Sequence, residues 1–258
     1  MSCFDVNRRK GAYRHQQALR ILMGLCALGI LYSGITLLKS NREYAYGDLV
    51  YEDVRLEQKN PKRISSSADA SSTVGVDFPA LVQINPNVVA WISSEASIID
   101  YPVVQGDDNV YYLTHLFNGA ENKLGCLFID YRNSGDFSDK NTIIYGHNMK
   151  DGSMFSSLIG YLDQSYYDSH PVMQIYTPQG SYNLELFAGI VGDGDYEFVQ
   201  LGFGEDSEFL SYVAGLKANS TFQSNVEVLS KDQIVALSTC SYSFDNARYA
   251  LFGKLSKK

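Results

Sequence analysis

Three residues in this 258-residue chain combine a thiol, an imidazole and a guanidinium in a pattern suited to nucleophilic chemistry. Cys240 closes the apolar run Ile234-Val235-Ala236-Leu237 through Ser238 and Thr239. A strand that ends in small hydroxyl residues and then a cysteine delivers a thiol to the rim of a sheet. His147 ends a second apolar run, Ile143-Ile144-Tyr145-Gly146, where the glycine is expected to allow an unusual backbone angle beside the ring. Arg248 opens the run Arg248 to Leu255, across the segment Ser241 to Ala247 from Cys240. If those flanking runs pair, the guanidinium returns close to the thiol, and its fixed charge and fork of donors suit a developing oxyanion. Taken singly, each has a plainer reading: a structural Cys, a hydrogen-bonded core His, an Arg paired with Asp245. Among the other histidines, His15 precedes an apolar segment, His115 follows Tyr111-Tyr112-Leu113-Thr114, and His170 precedes Pro171 in a turn.

The elements that must position these groups read mainly as strands. Short strand-like runs cover 98–105, 125–131, 142–145, 172–176, 182–191, 235–239 and 248–255. The turn sequence Thr177-Pro178-Gln179-Gly180 predicts a hairpin between the fourth and fifth of these. Helical spacing of apolar residues predicts helices over Met154 to Tyr167 and Ser207 to Leu216, the second with Ser207 as cap and Glu208 in its first turn. There is no internal repeat and no Gly-rich phosphate loop. The pattern predicts a closed or nearly closed mixed β-barrel with peripheral helices.

From Ile21 to Leu38 the chain carries no charge, and eighteen helical residues span roughly 27 Å, close to the hydrocarbon thickness of a bilayer. Residues 1–39 hold six basic residues against Asp5, whereas the remainder holds 15 basic and 28 acidic ones. The basic flank before the segment puts the N-terminus in the cytoplasm and the rest outside. The expected organisation is a basic cytoplasmic segment (1–20), a single transmembrane anchor (21–38), an extracellular stalk (39–75) and a catalytic domain (76–258). Within the stalk, Tyr44, Leu49, Val50, Val54 and Leu56 suggest a short helix broken at Asn60-Pro61, and Ile64 to Gly75 is too rich in Ser and Ala to fold. An acidic body excludes nucleic acid as a partner. Four cysteines (Cys3, Cys26, Cys126, Cys240) lack any metal-ligand spacing, which excludes a zinc site.

The chain resembles the class B sortases. The resemblance rests on the strand ending in His147, on Leu237-Ser238-Thr239-Cys240 and on Arg248 opening the next strand. It also rests on the blocks Asn85 to Ile92, Asp100 to Gln105, Asp108 to Leu113, Phe128 to Asn133 and Asn141 to Phe155, and covers Phe78 to Leu255. It implies an eight-stranded β-barrel with an added helix at 207–216, between the sixth and seventh strands. It implies a cysteine transpeptidase in which Cys240 is the nucleophile, His147 the acid/base and Arg248 the oxyanion donor. The enzyme would cleave a C-terminal sorting signal of secreted proteins through a Cys thioester and pass the acyl group to an amine. Asn109, Leu113 and Tyr145 match substrate-groove positions, and Ser238 and Thr239 line the strand end beside the nucleophile. The acceptor is a cell-wall precursor amine or a pilin lysine; the lack of a long lid before Phe78 favours wall anchoring. A surface peptidase that only hydrolyses and a non-enzymatic assembly module remain as alternatives. Cys126, where a small residue such as Ser is expected, reads as a packed thiol. No cofactor is implied, and the spacing Asp193/Asp195/Glu197 is not expected to hold calcium.

Overall fold

The computed structural model describes residues 3–58, 75–95, 97–193, 200–240 and 247–258; the side chains of residues 3–19, 21, 193 and 240 lie outside that description. The expected unfolded stretch from Ile64 falls in the segment 59–74, which is not described, and Asp195 and Glu197 are likewise outside. The chain divides into two compact units, residues 1–46 and 47–258.

The first unit consists of most of the long helix α1 (Cys3–Gln58). Among the described residues this is the one helix long and apolar enough to cross a membrane. From Leu22 to Leu38 its apolar side chains are exposed: Leu28 is 64% exposed and Ile30 73%. A helix apolar all round and unburied is costly in water and at home in lipid.

In the second unit eight strands close into a barrel in the order β1-β2-β3-β4-β7-β8-β6-β5. They are β1 (Val88–Ser93), preceded by helix α2 (Phe78–Ile84), then β2 (Asp100–Gln105), β3 (Leu127–Ile129), β4 (Asn141–Tyr145), β5 (Val172–Thr177), β6 (Gly180–Asp193), β7 (Gln233–Cys240) and β8 (Ala247–Lys257). Two pairs are parallel, β2–β3 and β4–β7, and the others antiparallel. The expected hairpin joins β5 to β6, with the Gln179 N–H donating to Thr177 Oγ1 and Gly180 at φ +155. The closed, mainly β architecture with peripheral helices is the one expected.

Strand β1 was not apparent from spacing. Four of its six residues are buried, Trp91 at 1% exposed, so the alternation that marks a half-buried strand is missing. Trp91 Nε1 instead donates to Asp100 Oδ1 at 2.8 Å, tying β1 to the start of β2.

Two helical expectations need correction. Residues 154–167 do not form one helix: a 3₁₀ helix (Ser156–Leu162) is followed by α3 (Gln164–Ser169). Asp163 adopts an extended conformation between them, and its carboxylate accepts from the Ser165 N–H, capping the second helix and ending the first. Helix α4 (Asp206–Ala218) has Glu205, not Ser207, at its cap. Glu208 satisfies the entry by accepting from the Gly204 N–H at 2.7 Å and from Gln200 Nε2 at 2.7 Å.

Helix α4 lies in sequence between β6 and β7. Its Phe209, Val213 and Leu216 pack with Ile143 of β4, Ile234 and Ala236 of β7, and Ala250 and Phe252 of β8. The same face of β4 continues to Tyr145. Phe209 is fully buried, so Phe209→Ala is expected to cost about 3–5 kcal/mol. Urea unfolding of the variant measures this, with a reduced slope if α4 detaches before the barrel opens.

Candidate active site

The barrel's register brings the three chemically reactive positions to one rim. Strands β4 and β7 run parallel from Asn141 opposite Ile234 to Tyr145 opposite Ser238. The Gly146 N–H extends this ladder to the Ser238 carbonyl at 3.1 Å. Parallel strands finish at the same end, so His147 follows β4 where Cys240 ends β7. Strand β8 starts at that rim, with Arg248 directly opposite Cys240. Arg248 also stands opposite Gly192 of β6. The loop 241–246, and with it the expected partner Asp245, lies outside the described residues.

His147 is oriented by a backbone group. Its Nε2 lies 2.7 Å from the Leu113 carbonyl. A carbonyl can only accept, so Nε2 carries the proton and Nδ1 is the nitrogen left to exchange one. Leu113 therefore meets the site through its main chain, at the end of the 3₁₀ turn Tyr111–Leu113. Gly146 does not have the unusual angle expected of it; no left-handed φ occurs there. It is needed for close packing, because a Cβ would sit against Leu127 Cδ2 and 2.6 Å from Phe155 Cδ2. The main chain of His147 is held as well, since the Phe155 N–H donates to the His147 carbonyl at 2.9 Å.

Asn109 and Tyr145 are held by a residue to which the sequence assigned no role. Asp130 is fully buried, and Asn109 Nδ2 and Tyr145 Oη each donate to its Oδ2 at 3.0 Å. The Arg132 side chain donates to both carboxylate oxygens, at 3.0 and 2.9 Å, and its N–H to Oδ1. The Asn109 amide is fixed at both ends, since its Oδ1 accepts from the Tyr131 N–H. Burial works against ionisation of Asp130, but the Arg132 bonds, with Asn109 and Tyr145, outweigh it and hold the carboxyl below its ordinary range. Burial, reinforced by the Asp130 charge, pushes the Tyr145 phenol up, so it remains a donor. The signal in the sequence was a charged residue directly after the apolar run Leu127 to Ile129.

Ser238 and Thr239 are both buried, and Thr239 Oγ1 has no hydrogen-bond partner among the described residues. Cys126 is also buried, beside the Pro102 carbonyl, and burial pushes its thiol up to about 12. Such a thiol is almost wholly protonated at neutral pH and is a packing group. Among the described residues, no group of three or more His, Cys, Asp and Glu could hold a metal ion.

This closed eight-stranded barrel matches solved sortase B structures. The structure of a Staphylococcus aureus sortase B–substrate complex superposes with a TM-score of 0.75, 29% sequence identity, and coverage of 84% of this chain and 99% of that one. Sortase B of Listeria monocytogenes is 34% identical over 237 residues, 91% of this chain and 95% of the relative. Sortase B of S. aureus is 30% identical over 246 residues, 95% and 99% respectively. No family model matches the sequence. The chain belongs to the sortase B family.

Two variants test the geometry. Gly146→Ala is expected to displace His147 and destabilise the fold by about 1–3 kcal/mol through overpacking, read by thermal unfolding. Asp130→Asn is expected to cost a similar ~1–3 kcal/mol at pH 7. Because the Asp130 pKa is depressed on folding, its contribution is present above the unfolded value of about 4 and lost as pH falls through the folded one. The gap between wild type and Asp130→Asn in urea unfolding should therefore close in acid.

Proposed function

We propose that this chain is a membrane-anchored transpeptidase that works through a thioester on Cys240. The observation that carries the reading is the backbone register at the rim, with Cys240 opposite Arg248 and β4 delivering His147 alongside. A thiolate at Cys240, favoured by a neighbouring imidazolium, attacks a backbone carbonyl of the sorting signal. Arg248 donates to the oxyanion as the carbonyl becomes tetrahedral. His147 gives a proton to the departing amine from Nδ1, since Nε2 is committed to Leu113. The thioester forms as the peptide bond breaks. An incoming amine then gives its proton back to His147 and attacks the thioester, which releases the Cys240 thiolate and leaves a new peptide bond.

Asn109, Leu113, Tyr145, Ser238 and Thr239 are assigned to the substrate groove. Asn109 and Tyr145 are each half-committed to Asp130, so each offers what remains: one amide N–H from Asn109 and the oxygen lone pairs of Tyr145. In the S. aureus relative the solved complex is with substrate, which supports a peptide site of this kind here. The acceptor is assigned to a peptidoglycan precursor amine. Residues 1–20 are assigned to the cytoplasm, 21–38 to the membrane, and 39–75 and 76–258 to the outside, with residues 47–58 of the expected stalk belonging to the compact unit that holds the catalytic barrel. The basic N-terminal flank supports that orientation.

The test is cleavage of peptides carrying Asn-Pro-x-Thr or Ser-Pro-x-Thr-Gly signals, with and without triglycine. Cys240→Ala should abolish release, and Arg248→Lys should lower kcat/KM by on the order of 10²-fold. Triglycine should appear joined to the acyl fragment. A product that never contains the amine would leave a hydrolase and remove the transferase.

A further inference from the structure

The last turns of α1 bury Val50, Tyr51 and Val54 in the barrel unit. Packing alone would account for the two valines. Tyr51, 2% exposed, does more: its hydroxyl donates to the Gly125 carbonyl at 2.5 Å. Gly125 sits at φ +60, and a Cβ there would lie 2.5 Å from the Tyr112 carbonyl oxygen and 2.8 Å from that of Leu113. The following residue closes the contact, since the Cys126 N–H donates to the Tyr112 carbonyl at 2.9 Å. Tyr51 is thus tethered to the backbone packed against the carbonyl that orients His147.

A second path leads to the segment after His147. The Tyr51 ring meets Tyr101 edge-on at 5.2 Å, and the Arg55 guanidinium lies 4.7 Å above the same Tyr101 ring. Arg55 Nε also donates to the Asp100 carbonyl at 2.8 Å. The Tyr101 hydroxyl accepts from the Met154 N–H at 3.2 Å. Met154 adjoins Phe155, whose N–H donates to the His147 carbonyl. One helical turn, Tyr51 to Arg55, therefore reaches both stretches of backbone that fix the imidazole.

We infer that Tyr51 is a positioning residue for His147, acting through the Gly125–Leu113 backbone and through Tyr101. The inference rests on the proposed pairing of His147 with Cys240. Removing the Tyr51 hydroxyl leaves the buried Gly125 carbonyl without its donor and frees the Leu113 peptide to shift. The imidazole then sits differently with respect to Cys240, and the thiolate fraction there changes with it.

Cys240 alkylation by iodoacetamide reads this without any substrate. The full chain in detergent micelles is titrated with pH, and the Cys240 peptide is followed by mass spectrometry to separate it from Cys3, Cys26 and Cys126. His147→Gln should move the alkylation midpoint by about one pH unit or more, as expected for loss of a charged neighbour. Tyr51→Phe, which keeps the ring, should move it the same way by about half a unit, and Tyr101→Phe likewise. If Tyr51→Phe does not fold, Tyr101→Phe decides. Should His147→Gln shift the midpoint while the folded tyrosine variants leave it unmoved, the positioning role is wrong and the catalytic reading stands. Should His147→Gln leave it unmoved, the Cys–His pairing falls and this inference with it.

Discussion

The parallel pairing of β4 with β7 is the constraint on which the rest depends. Antiparallel neighbours would put the end of one strand beside the start of the next, and His147 and Cys240 would lie at opposite rims. A parallel pair needs a long crossover, and here it contains β5, β6 and α4. Most of the barrel's second half is thus the connection that lets two strand ends meet. Strand β8 then brings Arg248 back to Cys240 by ordinary antiparallel pairing. A slip of one residue between β4 and β7 would turn every side chain on one strand to the other face, so the buried cluster of Ile143, Ile234 and Ala236 under α4 fixes the site's register as well as its stability.

Around that rim, polar groups are held by buried partners. Asp130 is an anion with no solvent of its own, and its ionised form is bearable because Arg132, Asn109 and Tyr145 together satisfy it. Arg132 is 41% exposed, so its charge remains partly hydrated while it neutralises the carboxylate. A network of this kind restricts rotamers: Asn109 and Tyr145 are locked before any ligand arrives. His147 is locked too, but by main-chain carbonyl and amide groups.

Much of this was legible in the sequence because chemistry and strand ends coincide. The runs before Cys240 and His147 and after Arg248 appear as strands, and the turn at Pro178-Gln179 forms the expected hairpin. What escaped detection did so for identifiable reasons. Strand β1 is buried on both faces and shows no alternation. The helix expected over 154–167 is broken by a capping aspartate that periodicity cannot see. Gly146 was read as a conformational glycine, whereas its requirement is space, which depends on Leu127 and Phe155 from elsewhere in the chain. Tyr51 gave no motif because its partner Gly125 is 74 residues away, and the link of Asp130 to Asn109 and Tyr145 likewise joins separate segments.

Closure of the barrel limits how a polypeptide can be gripped. Among the described residues each of the eight strands has a neighbour on both sides along part of its length, and the longest one-sided stretch is β6 beyond Glu185, which pairs with β8 alone. Recognition by sheet extension, which reads backbone and tolerates many sequences, is confined to such short stretches. Elsewhere an extended guest is held by side chains and by connecting loops, whose contacts depend on the guest's own residues. The same closure protects the protein from edge-to-edge aggregation.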